Sequence, residues 1–228
     1  MSALLTDLGA AMANPVAGTQ ACFRAALDAM SRPGRIVALP PVATVGMRVP
    51  AARSRDGTAD VPMAEATAAL LLTLLDAECA VRLHGAFDHD AMLAWLRFHT
   101  GARAALPGEP AAFTVVRAAD ARAAHWEALD LGSDEAPQRG GTLIVEVPRL
   151  AAIADEPWLA MPAAPMRLRL RGPGIESEHT IGVGGLPESF WRYRIALEPQ
   201  FPQGFELLLT RGRWLAAVPR STHIALET

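Results

Sequence analysis

The chain has no lysine: all 21 of its basic residues are arginine. Schiff-base chemistry, with pyridoxal phosphate or with a carbonyl substrate, needs a lysine amine, and a P-loop needs its lysine too. Both are excluded as activities of this chain alone. Cysteine is scarce. Cys22 and Cys79, the only two, stand too far apart for a C-x-x-C motif and cannot hold an iron–sulfur cluster or a four-cysteine zinc site unaided. Their apolar neighbours make both read as buried free thiols, and the lack of a disulfide framework fits a reducing cytoplasm. Positive charge is not in excess either. A net charge of -3 and a pI near 6.1 supply no field for nucleic acid or an acidic membrane. The longest apolar run, Ala68 to Leu75, is broken by Thr73 and falls far short of the roughly 20 residues of a membrane span. Asp7, with no basic residue before Arg24, argues against a signal peptide. The expectation is a soluble, cytoplasmic protein without nucleic-acid or membrane partners.

What the chain does carry is apolar mass. At 51% hydrophobic over 228 residues it can bury a core, and its length suits one domain, taken as residues 1–228. Five helices alternate with strands. The first is expected from an N-cap at Thr19 to Met30, with Phe23, Leu27 and Met30 on one face. Ser31-Arg32-Pro33-Gly34 stops it, with Pro33 and Gly34 at the central positions of a type II turn, and Ile36 to Leu39 follows as a short strand. Met47 to Asp60 reads as a surface loop. A buried helix is expected from near Asp60 and Pro62 to Leu75. Ala80 to Leu83 reads as a strand, and a third helix as N-capped by Asp88 and ended at Gly101. Further strands are expected at Ala112 to Val116 and Thr142 to Val147, with a short helix at Ala121 to Leu129. Met166 to Arg171 alternates with period two, and a last helix spans Pro187 to Leu197. Phe205 to Thr210 and Trp214 to Val218 form a terminal hairpin. Ala151 to Pro165 is the most linker-like segment, though Trp158 and Met161 suggest that it packs. The class is α/β, a mixed sheet with helices on its faces.

Several chemistries lack their motif. Gly182, Gly184 and Gly185 miss the third glycine of a dinucleotide fingerprint, because Pro187 stands there. There is no G-x-S-x-G elbow and no H-E-x-x-H helix. His84 and His89, the closest histidines, have no evident third ligand, so no metal is expected. Arginine placement is more informative. Arg97, His99 and Arg103 gather where the third helix ends; they either complement its dipole or bind an anion. Arg220 and Thr222 follow a strand directly and form, with Arg97 and His99, the candidate anion-binding set. Arg167, Arg169 and Arg171 share one strand face, which is either solvated or turned toward a partner. No catalytic residue is identified.

Taken in order, several segments resemble the H-subunit family of the carbon–phosphorus lyase complex, the PhnH family. They are Phe23-Arg24, Leu27, Ala29-Met30-Ser31 and Pro33-Gly34; then Leu71 to Asp76, Leu96 to Thr100 and Gly141 to Ile144. Leu170 with Gly172 to Ile175, Phe201-Pro202 with Gly204, Leu207 to Thr210 and Pro219-Arg220 with Thr222 complete the set. Glu206 stands where the family's F-P-x-G-x-D carries aspartate. The resemblance implies a three-layer mixed sheet flanked by helices, similar to the large domain of pyridoxal-phosphate-dependent transferases with the cofactor lost. It also implies a homodimer in isolation and partnership with the G, I and J subunits. That system makes ribose 1-alkylphosphonate 5-triphosphate from ATP and alkylphosphonate. It implies no cofactor and no established catalytic residue for this subunit.

Three functions are therefore weighed. The first is a non-autonomous subunit of that complex. The second is an autonomous enzyme or binding protein for an anionic ribosyl phosphonate or nucleotide. The third is an unrelated small-molecule hydrolase. The missing nucleophile–base pair, metal motif and lysine favour the first.

Overall fold

The computed structural model describes residues 11–44, 49, 52–53, 60–61, 63–152 and 165–227. Helices are α1 (Pro15–Ser31), α2 (Pro41–Thr44), α3 (Glu65–Leu74), α4 (Asp90–Thr100), α5 (Ala123–Glu127) and α6 (Glu188–Ala196). Strands β1 to β5 are Val37–Ala38, Ala52–Arg53, Asp60–Val61, Ala80–Leu83 and Arg103–Ala104. Strands β6 to β9 are Phe113–Arg117, Thr142–Glu146, Arg149–Ala152 and Met166–Arg171. Strands β10 to β13 are His179–Gly184, Glu206–Arg211, Trp214–Val218 and His223–Glu227. A seven-stranded sheet runs β1-β12-β11-β7-β6-β4-β5, and a four-stranded sheet runs β13-β9-β10-β8. In the first, β11, β7, β6, β4 and β5 are parallel, while β12 is antiparallel to its neighbours. The second is wholly antiparallel.

The central strands are apolar on both faces because both faces are covered. In β7, Ile144 joins one core while Leu143 and Val145 join the other. In β11, Leu208 points opposite to Leu207 and Leu209 in the same way. The first core holds α1, α3 and α4. The second holds Trp126 of α5, Phe190 and Trp191 of α6, and the four-stranded sheet through Leu168, Leu170, Ile181 and Val183. The alternation of Met166–Arg171 therefore does bury one face, with Leu168 and Leu170 fully buried. That strand belongs to a separate sheet, which periodicity alone did not separate.

Local chemistry corrects several boundaries. The first helix starts at Pro15 rather than after Thr19. Asn14 caps it, its Oδ1 accepting from Ala17 N at 3.1 Å, and Pro15 takes the position where a missing N–H is harmless. Thr19 lies inside the helix and donates back to Pro15 O. The face buried in α1 is Gly18, Cys22, Ala26 and Ala29, whereas Phe23 and Leu27 are 47% and 52% exposed. Small residues let α1 approach closely. A Cβ on Gly18 would meet Met12 Sδ at 2.7 Å and Val42 O at 3.0 Å. The type II turn forms at Arg32–Arg35, with Arg35 N donating to Arg32 O and Gly34 at φ +80°. Helix α4 is capped by His89, not Asp88; its Nδ1 accepts from Met92 N at 3.3 Å. Gly101 ends it in the left-handed region. Asp60 lies in β3, paired with Arg53, and α3 begins at Glu65. Most of Met47 to Asp60, together with Pro62, Trp158 and Met161, lies outside the described residues. The glycines near 184 lie in or beside β10, where Ile181 and Val183 fill the core.

Candidate functional site

The parallel strands give the sheet a carboxyl edge and an amino edge, and the candidate residues divide between them. In open α/β sheets, ligands favour the carboxyl edge. The ends of β6, β7 and β11 place Arg117, Glu146 and Arg211 there. Glu146 is largely buried. One carboxylate oxygen accepts from Ala64 N at 2.7 Å and from Thr67 Oγ1 at 3.4 Å; the other lies 3.6 Å from Arg117 Nε. Ala64 is the N-cap of α3 and has no side-chain oxygen to offer. The Glu146 side chain, from a distant strand, supplies what the local sequence lacks. Burial pushes its carboxyl above the usual range, against the lowering effect of these partners. Glu146 lines a groove of about 690 Å³ together with Glu65, Arg211, Arg213 and Trp214.

A second cluster lies at the same edge. The chain passes from β4 to β5 on one side and then from β6 to β7 on the other, so a topological switch lies between β4 and β6. His84 follows β4 directly. Its ring stacks on His125 of α5 at 3.8 Å between centroids, with the planes 7° apart. Burial and the neighbouring His125 and Arg82 push His84 down to about 4; burial also lowers His125. Asp120, beyond β6, accepts from Ala86 N at 3.1 Å. Gly85, at φ +61°, is required here because a Cβ would lie 2.4 Å from Asp120.

Arg220 and Thr222 sit at the other edge. They follow β12, and because β12 is antiparallel its carboxyl end coincides with the amino ends of β7 and β11. Arg220 Nε donates to Glu206 Oε1 at 2.5 Å and its backbone N to Glu206 Oε2 at 3.0 Å. Its Nη1 reaches the carbonyls of Pro137 and Pro202. The carboxylate of F-P-x-G-x-E is thus the partner of this arginine. Gly140 and Gly204 clear its path, since a Cβ on Gly140 would lie 2.8 Å from Arg220 Nη1. Thr222 is 1% exposed, and its Oγ1 has no partner among the described residues. Its carbonyl accepts from Arg194.

Arg97 and His99 lie in the last turn of α4, before β5. Strands β5 and β11 are four spacings apart, about 19 Å. The structure brings Arg220 and Thr222 together, and Arg97 and His99 together, at opposite ends of the amino edge. His99 packs edge-on against Trp95 and Phe98, and burial lowers its pKa. In the β9 stripe, Arg167 and Arg169 face Glu227 at 3.4 and 3.8 Å, and Arg171 pairs with Glu178 at 2.8 Å.

Three functional-looking groups escaped sequence reasoning. Glu146 and the His84–His125 pair carry no motif, because their partners arrive from distant segments. Arg194 had a signal: it follows Phe190 and Trp191 on one face of α6, which marks a buried position. It is 2% exposed, donates to Pro219 O at 2.8 Å and lies over the Phe205 ring.

Comparison with known proteins gives a consistent result. The family model for bacterial phosphonate metabolism protein (PhnH) matches residues 10–225. Alpha-D-ribose 1-methylphosphonate 5-triphosphate synthase subunit PhnH of Rhizobium meliloti (strain 1021) is 31% identical over 217 residues, 95% of each chain. A putative C-P lyase subunit protein, HtxG of Stutzerimonas stutzeri, is 33% identical over 211 residues, 91% of this chain and 86% of that protein.

Proposed function

This chain belongs to the bacterial phosphonate metabolism protein (PhnH) family, and from that membership we propose that it is a subunit of a carbon–phosphorus lyase assembly. Its role there is to support formation of a ribose 1-alkylphosphonate 5-triphosphate from ATP and an alkylphosphonate. The observation that carries this reading is the end-to-end match to a synthase subunit, 95% of each chain. The partners proposed are the G, I and J subunits, in the cytoplasm, with a homodimer when the chain is alone. No helix among the described residues is long and apolar enough to cross a membrane. The exposed stripe of Val16, Phe23 and Leu27 on α1 supports an interface, since an unpartnered apolar helix face favours burial. Kinship with the large domain of pyridoxal-phosphate-dependent transferases is proposed on the mixed seven-stranded sheet with helices packed on it.

Within this reading, Arg167, Arg169 and Arg171 are proposed as a partner-facing strip, and the end of α4 with Arg97 and His99 as an anion contact. Arg220, which lines the neighbouring cleft with Ser221 and His223, is proposed to shape it, while Thr222 is buried and outside that lining. Co-expression with the other core subunits is the test. Stable co-purification, with loss of synthase output when this chain is omitted, is expected. A complex of full activity without it would refute the role.

A further inference from the structure

The groove over Glu146 has a composition that neither the family nor the sequence motifs assign. Trp214 opens β12 and is 44% exposed, and it makes no ring contact among the described residues. An exposed indole on a groove wall offers a stacking face at little conformational cost. Arg211 and Arg213 flank Gly212 at the tip of the same hairpin. Arg211 Nε donates to Pro148 O at 3.0 Å, and Arg213 Nε donates to Leu39 O at 3.1 Å. These carbonyl contacts orient both guanidinium groups without neutralising them. Among the described residues neither arginine has a carboxylate within ion-pair distance, unlike the β9 stripe. The groove also holds two carboxyl groups, Glu65 and Glu146, suited to accept from hydroxyls. Its volume, about 690 Å³, falls within the usual range for small-molecule sites.

We propose that this groove binds a nucleotide, with the base stacked on Trp214, the phosphates held by Arg211 and Arg213, and the ribose hydroxyls facing Glu65 or Glu146. The three chemistries are required together. Two arginines alone describe an anion site, and a lone tryptophan describes an apolar contact; a ligand that unites an aromatic face, hydroxyls and phosphate fits all of the walls. The site lies at the carboxyl edge, away from Arg97, His99, Arg220 and Thr222. Because ATP is a substrate of the proposed assembly, this site rests on and deepens that reading. Co-purification and ligand binding are separate measurements, so the failure of one is distinguishable from the failure of the other.

Calorimetric titration of the purified chain with ATP, adenosine and tripolyphosphate tests it. ATP is expected to bind more tightly than either fragment and to raise Tm by mass action. Trp214→Leu and Arg211→Gln are each expected to weaken ATP about tenfold or more, as befits a stacking or charge anchor. Arg213 holds Leu39 O through two contacts and is half-buried, whereas Arg211 makes one contact, to Pro148 O, and is exposed, so Arg211→Gln disturbs the fold less. Absence of ATP binding at millimolar concentration overturns the proposal. So does tripolyphosphate binding as well as ATP with Trp214→Leu unaffected, which would leave a plain anion site.

Discussion

Arg220 and the Arg211–Arg213 pair, at the two edges of one sheet, meet opposite fates. At the amino edge, Arg220 donates to a carboxylate and two carbonyls, and Arg194 braces the same turn from inside. At the carboxyl edge, Arg211 and Arg213 are oriented by neutral carbonyls and open onto a groove. Residue type is the same; what accepts its protons differs. An arginine whose charge is matched within the fold is a clamp, and one steadied but unmatched is available to a ligand.

Removing the clamp is the strongest way to break that comparison. The Arg220 and Glu206 side chains are only 14% and 20% exposed. Losing one partner of such a pair leaves the other charge half-buried, so Arg220→Ala is expected to destabilise by about 3 kcal/mol. Arg220→Lys should recover little of it, because an ammonium cannot serve Glu206 and the Pro137 carbonyl with one planar fork. Denaturant unfolding measures both. A loss under about 1 kcal/mol would show that surface pairing alone is at stake and that the edges are not different in kind. Glu146→Ala comes next. It takes the acceptor from Ala64 N and Thr67, at about 1–3 kcal/mol for a buried donor left unmatched. Glu146→Gln keeps an acceptor and should stay within about 1 kcal/mol of the parent. Because its folded pKa is raised, the parent's stability should also decline as pH climbs above 4.5, and the glutamine variant should lack that decline.

How far these features were legible follows from the range over which each signal acts. The turn at Pro33-Gly34, the stop at Gly101 and the β11–β12 hairpin depend on a few adjacent residues, and each was readable. The acid in F-P-x-G-x-E and the arginine in Pro219-Arg220 were both visible as motif letters. Nothing local showed that they touch, because the contact bridges 14 positions. Reading Arg220 as lying beyond a strand's carboxyl end left open which edge of the parallel strands that is, because the direction of β12 is decided by its pairing partners. The second sheet was missed for the same reason. Alternation in β9 reports one buried face and cannot say which sheet provides the cover. Glu146, 82 positions from Ala64, had no sequence signal at all.

The stacked histidines sharpen the comparison from the carboxyl side through pH. Well above 6.5 both rings are neutral, folded or unfolded. As pH falls below 6.5 the unfolded chain takes up a proton at His84, while the folded chain resists until about 4. Stability should therefore fall through that window, by about 1–2 kcal/mol once solvent screening of a half-buried ring is allowed for. His84→Asn should flatten this acid limb. An unchanged limb in the variant would place the proton uptake elsewhere.

The smallest effect is expected where the charges are matched but exposed. Arg167 and Arg169 are 40% and 42% exposed and share a single carboxylate, Glu227. Exposed pairs contribute little, so replacing both with glutamate should change the isolated chain's stability by about 1 kcal/mol at most. The same double variant places two negative charges on a strand face proposed to meet a partner, where like-charge contact weakens association strongly. Stability and assembly should then separate: an almost unchanged unfolding midpoint, and co-purification with the other core subunits lost. If the variant folds and still assembles at parent stoichiometry, the strip is a solvated face closed on its own glutamates. In that case the Val16, Phe23 and Leu27 stripe becomes the surface to mutate, because these apolar side chains on α1 are 47% to 68% exposed and gain by burial against a partner.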